Sequence, residues 1–305
     1  MSDRNYALIH GLSRSRLWAA VLLLIMGITW GAAVSLGKIA AEGGGHPLGL
    51  NFWQGLIGGL TLLALAAVRR RLPSIRPKAM GFYVICGILG SSAPGILLFF
   101  ILPKISAGVV SITFATVPLI TYGLSYLLGI ERLSILRCFG ILLGLAAVGL
   151  IVVPEESLPE AGQALWVLLL LACATSYALE AIVIDKWRPD GEDAIALTTG
   201  MLLVGAGLLI PFMALFDGYL DIFVPWRTAE WALFAMAVTS SLAYAIYLYV
   251  VQIAGPVYAS QTAYIVTFSG VLWGMALFEE SHSGFVWAAL ALMLVGLTLV
   301  RPRVD

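Results

Sequence analysis

Apolar runs of about twenty residues alternate with short polar links ten times along the chain. They cover approximately residues 17–37, 48–68, 79–101, 105–127, 135–153, 163–184, 195–216, 229–251, 256–278 and 285–300. A hydrocarbon core about 30 Å thick is crossed by roughly 20 helical residues, so each run predicts one membrane-spanning helix. The links are too short to hold a soluble domain. The first run follows Arg14 and Arg16, as a signal peptide would. Its length and the nine runs behind it predict instead an uncleaved helix after a cytoplasmic tail at 1–16.

The second five runs repeat the first five at an offset of 148 residues. That offset carries Lys38 onto Lys186, Gly59 onto Gly207, Ser92 onto Ser240, Ile105 onto Ile253 and Glu131 onto Glu279. Trp30 comes within one residue of Tyr177, and Gly149 within one of Gly296. Shared hydrophobicity alone does not carry a Lys, a Ser and a Glu across at one spacing. Five is an odd number of crossings, so the second copy enters from the opposite side. The expected fold is all-α integral membrane: two inverted five-helix repeats, 17–153 and 163–300, packed about a midplane site as in many secondary transporters. Joining both copies in one chain removes the need for an antiparallel dimer and favours a monomer.

Charge fixes the expected orientation. The N-terminus, the even-numbered links and the C-terminus hold fourteen Lys and Arg, including Arg69, Arg70 and Arg71, whereas the odd-numbered links hold Lys38, Lys104 and Arg227. The positive-inside rule therefore places both termini in the cytoplasm, and an even number of crossings demands that they share a side. Hydrophobic residues make up 61% of the chain, charged residues 11%, and the mean hydropathy is +0.98. Soluble domains carry roughly 25% charged residues, so this chain lacks the surface for a water-facing globule. A net charge of zero gives no electrostatic footprint for nucleic acid. Cys86, Cys138 and Cys173 lie in apolar runs and read as small hydrophobes.

Several of these positions carry a family resemblance. Trp30-Gly31, the small-residue entry Ser106-Ala107-Gly108 with Pro118 beyond it, Gly129-Ile130-Glu131 and the Gly140, Gly144, Gly149 series resemble the drug/metabolite transporter superfamily, in the branch built from two EamA domains. The second half echoes them at Gly255-Pro256, Glu279 or Glu280, and Gly296. The chain departs from that pattern at Asn51-Phe52-Trp53-Gln54, where the family often places an Arg. The aromatic-rich spans and this segment most resemble exporters of aromatic and other amino acids. The resemblance implies a ten-helix secondary exporter.

Polar and aromatic residues gather on particular helical faces: Tyr258, Gln261 and Tyr264; Ser240, Tyr244 and Tyr247; Thr113 and Thr116; Ser176, Tyr177 and Glu180. Thr29 and Trp30, Asn51 and Gln54, and Ser91 and Ser92 extend the set. In lipid a hydroxyl or amide needs a partner or a cavity, so such stripes point inward. For Ser and Thr the plain alternative is bonding back to their own helix. Glu180 is the only acid well inside an expected span, Glu230 standing at the very start of another, and a charge at depth is costly there. It either binds a substrate ammonium or carries a coupling proton, or it snorkels and pairs with Lys186 or Arg188. Pro94 and Pro118 each remove a helical donor and are hinge candidates or static kinks. Lys38 either snorkels or gates the outer face with Glu42. Gly27/Gly31, Gly55/Gly59, Gly140/Gly144 and Gly270/Gly274 predict close packing seams.

The expected function is export of small organic solutes, amino acids first, by alternating access. The alternatives are efflux of lipophilic cations and, from another class, an integral membrane enzyme. His10, His46 and His282 lie in the tail and two outer links with no metal-ligand spacing, so neither a metal, a cofactor nor an enzymatic reaction is expected. No ring of charges marks a channel filter.

Overall fold

A computed structural model describes residues 3–153, 163–189, 191–222, 225–254 and 262–299, and every regular element among them is helical. The helices are α1 (Asp3–Glu42), α2 (Pro47–Val68), α3 (Pro77–Gly87), α4 (Ala93–Ile101), α5 (Ala107–Phe114), α6 (Val117–Leu127), α7 (Ile135–Val152), α8 (Gln163–Trp187), α9 (Ala194–Leu215), α10 (Thr228–Ala254), α11 (Thr262–Phe278) and α12 (Gly284–Leu299). Among the described residues eight segments are long and apolar enough to cross a membrane; α11 and α12 are apolar but shorter, at 17 and 16 residues. Helix α1 begins at Asp3, so part of the expected tail is helical and continuous with the first apolar run.

Helix starts follow from local chemistry. Asp193 accepts the Ile195 N–H at 3.0 Å and sits 3.5 Å from both Arg69 and Arg71, tying α9 to the end of α2. The His46 side chain accepts from Leu48 N with Pro47 in the first turn of α2.

Packing repeats with the sequence. Helix α1 lies on α10 as α8 lies on α3 and α4, and α1 lies on α11 as α8 lies on α5 and α6. Helix α2 touches α10 as α9 touches α3, while α2–α9, α5–α11 and α7–α12 pair corresponding elements directly. Exchanging the two halves therefore returns these principal pairings.

The glycine seams hold these pairs close. A Cβ on Gly31 would overlap Ser269 Oγ and come 2.8 Å from the Gly270 amide, so α1 and α11 meet nearly backbone to backbone. Ser269 Oγ also donates to the Gly27 carbonyl at 3.1 Å.

The two prolines act differently from simple kinks. In a regular helix the Pro94 position would donate to the Gly90 carbonyl, and proline cannot. The chain widens instead into a π-turn, Ile88–Ser92, with the Ala93 amide bonding Ile88 O. Near Pro118 the helix breaks outright between α5 and α6 at Ala115 and Thr116.

Candidate functional site

Glu180 lies on α8 seven residues before its end at Trp187, which is three residues beyond the expected boundary. At about 1.5 Å per residue the carboxyl lies roughly 10 Å from that end. It is 9% exposed, and among the described residues it has no cation within ion-pair distance; Lys186 pairs with Asp185 at 3.5 Å instead. The snorkelling pair is therefore not formed.

What Glu180 touches is the π-turn. A Cβ on Gly90 would fall on the Glu180 carboxylate, so only glycine leaves room for it there. One residue earlier, Ser176 Oγ donates to Leu89 O at 2.7 Å. From α2, Asn51 Nδ2 donates to Ser91 O at 3.3 Å and Ser92 O at 3.0 Å, and Ser92 Oγ donates to Gly205 O at 2.9 Å. The Leu89, Ser91 and Ser92 carbonyls of the widened turn are thus served by two other helices, α8 and α2, while Ser92 itself donates to a third, α9. Replacing Asn51 with Ala should cost about 1–3 kcal/mol, the penalty of unsatisfied buried carbonyls. Thermal unfolding in detergent checks it, and an unchanged midpoint would show that Asn51 is dispensable.

Aromatic rings wall the other side. Glu180 lies within electrostatic range of Tyr177, Tyr244 and Cys86. Trp30 stands 5.9 Å from both the Tyr244 and Tyr247 rings, and those two rings are 6.1 Å apart. Tyr177 meets Phe114 edge to face at 5.8 Å. Trp30, Tyr177, Glu180, Tyr244 and Tyr247 thus form one cluster from α1, α8 and α10, with Gly90 and Phe114 closing it.

The other expected residues are placed elsewhere. Thr113 and Thr116 bond back to Val109 O and Thr113 O at 2.8 and 2.6 Å. Gln54 and Ser240 are half-buried, and Tyr264 packs against the main apolar core. Tyr258 and Gln261 lie outside the described residues.

Two crevices lie at positions related by the repeat. One, of about 460 Å³, separates Lys78, Gly81, Phe82 and Ile85 of α3 from Lys186, Trp187 and Arg188. The other, of about 150 Å³, is lined by Ala40, Gly43, Ala229, Glu230 and Leu233 among others. The 148-residue offset carries Gly81, Phe82, Ile85 and Arg188 onto Ala229, Glu230, Leu233 and Ala40. Equivalent positions are therefore wide at the Lys186 end and narrow at the Lys38 end.

The narrow end carries the Lys38–Glu42 pair that the sequence suggested, together with contacts that no motif announced. Lys38 Nζ donates to Ile105 O at 2.6 Å, lies 3.7 Å from Glu42 and stands over the Phe278 ring. The Glu280 carboxylate accepts the Ala107 and Gly108 amides at 2.6 and 3.1 Å, binding the start of α5. His282 Nε2 lies 3.6 Å from Glu280 and is buried without a hydrogen bond. Burial pushes its pKa down, partly opposed by Glu280. A histidine whose folded value is depressed is stabilising above its unfolded value near 6.5, and that contribution is lost as pH falls through the folded value. His282→Gln should therefore flatten the loss of thermal stability between about pH 7 and 5; an unchanged acid limb would contradict this assignment.

Comparison with known proteins follows the same two halves. The profile of the EamA-like transporter family matches residues 17–153 and 164–301. The chain is 26% identical over 285 residues to the uncharacterized inner membrane transporter YedA of Escherichia coli K12, covering 91% of this chain and 89% of that protein. The YedA proteins of strains CFT073 and O157:H7 match equally. A solved crystal structure superposes with a TM-score of 0.62 at 19% identity, covering 91% of this chain and 94% of the other.

Proposed function

We propose that this chain, which belongs to the EamA-like transporter family, exports amino acids, aromatic ones included, by alternating access. It is a multi-pass membrane transporter of the inner membrane. In this reading ten helices form two inverted five-helix repeats with both termini cytoplasmic, acting as a monomer without a cofactor or a catalytic step.

The observation that carries the substrate assignment is Glu180. A buried carboxyl with no cation within ion-pair distance among the described residues, near Tyr177 and Tyr244 with Trp30 packed on Tyr244, suits a ligand with an ammonium group and an apolar body. The unequal crevices support the mechanism. In the proposed orientation the cytoplasmic one is wide and the outer one is held narrow by Lys38 and Glu280. Rocking one half on the other along the glycine seams would exchange the two conditions.

The same aromatic wall and acid would serve a lipophilic cation, so both belong in one experiment. Proteoliposomes preloaded with an unlabelled pool should take up labelled phenylalanine and threonine saturably, each measured against empty liposomes. Exchange of a lipophilic cation alone would replace the amino-acid reading with drug efflux. No exchange of any solute by folded protein would overturn the substrate assignment.

A further inference from the structure

The wide crevice has a chemistry that its repeat partner lacks. Its rim carries Lys78, Lys186 and Arg188. Only Lys186 has an acidic partner among the described residues, the exposed Asp185. At the narrow end the positions matching Lys78 and Arg188 are Trp226 and Ala40. The match to Lys186 is Lys38, already engaged on Ile105 O, and Arg227 there is paired with Glu230 at 3.4 Å. Uncompensated positive charge is thus confined to one crevice.

Below that rim the crevice is apolar. Phe82 and Ile85 line it, and a Cβ on Gly81 would meet nothing within 4 Å, leaving an open notch. Exposed Met80, Ile88 and Trp187 continue the apolar surface along α3 and at the end of α8. A soluble anion would use only the rim. A cationic rim over an apolar floor, between two membrane-spanning segments, fits an amphiphile.

We propose that this crevice between α3 and α8 binds an anionic phospholipid, its phosphate held by Lys78, Lys186 and Arg188 and its acyl chain lying along Gly81 and Ile85. Such a lipid is favoured over a zwitterionic one because each basic residue near the membrane surface attracts anionic headgroups.

The test uses no transport readout, so its failure would leave the carrier reading standing. Protein in nanodiscs of equal phosphatidylcholine and phosphatidylglycerol is released into mild detergent, and the lipids that stay bound are weighed by native mass spectrometry. Phosphatidylglycerol should be retained preferentially. Lys78→Gln, Lys186→Gln and Arg188→Gln should each lower that preference about fivefold, corresponding to ~1 kcal/mol per basic residue. All three positions are exposed, so unfolding midpoints should match the wild type. Equal retention of the two lipids, or a preference untouched by all three substitutions, would overturn the proposal. Displacement of phosphatidylglycerol by millimolar inorganic phosphate would assign the rim to a soluble anion and equally overturn it.

Discussion

Glu180→Gln is expected to lower amino-acid exchange by about ten- to a hundredfold while leaving the protein as stable as before, or more so. The two effects separate because the carboxyl has no cation among the described residues. Burying a charge without a partner opposes folding, so an amide of the same size relieves the fold. A substrate ammonium loses its charge-assisted hydrogen bond, worth about 1.5–3 kcal/mol, which is the stated range at 1.4 kcal/mol per tenfold. Exchange and thermal unfolding measured on the same preparation test this. Full exchange by the Gln variant would remove Glu180 from substrate binding. If exchange persists while uptake driven by a pH gradient disappears, the carboxyl carries the coupling proton instead.

Gly31→Val should be the most damaging single change to the fold, costing about 3 kcal/mol or more. Its Cβ would overlap Ser269 Oγ and press on the Gly270 amide, and backbone cannot rotate aside as a side chain can. Helix α1 would have to lift off α11. Gly207→Ala is the matched control, because a Cβ there meets nothing within 4 Å. In mid-helix that change should be neutral or slightly stabilising, since Gly is the poorer helix former by about 1 kcal/mol. Unfolding midpoints in detergent check the pair, and equal effects of both would mean that the seam is not tightly packed.

The helices, the repeat and the glycine seams could be read from the sequence because all three are periodic. Apolar length marks a span whatever surrounds it. Gly27 and Gly31 share a helical face by spacing alone, and Ile265 and Ser269 are what they meet. The aromatic cluster was partly legible, since Trp30, Tyr177, Tyr244 and Tyr247 announce themselves as polar-tipped rings inside apolar runs.

What sequence could not supply were contacts set by the third dimension. Gly90 is one glycine among 32, and nothing local marks it as the residue beneath Glu180. Pro94 could be read as a bend but not as a π-turn, because that outcome depends on Asn51 and Ser176 reaching across from other helices. Thr113 and Thr116 bond back to carbonyls of α5 instead, which the same hydroxyl pattern allows equally. Glu280 binding the start of α5 joins residues 172 and 173 positions apart, a separation no motif encodes.

Alternating access is tested most directly by closing one crevice covalently. Gly45 and Ala229 both line the narrow crevice. In a Cys138→Ser background, Gly45→Cys and Ala229→Cys bridged by a short bis-methanethiosulfonate reagent should stop transport while substrate still binds from the Lys186 end, and reduction should restore transport. Undiminished transport by fully cross-linked protein would contradict the account, because the narrow crevice would then have no need to open.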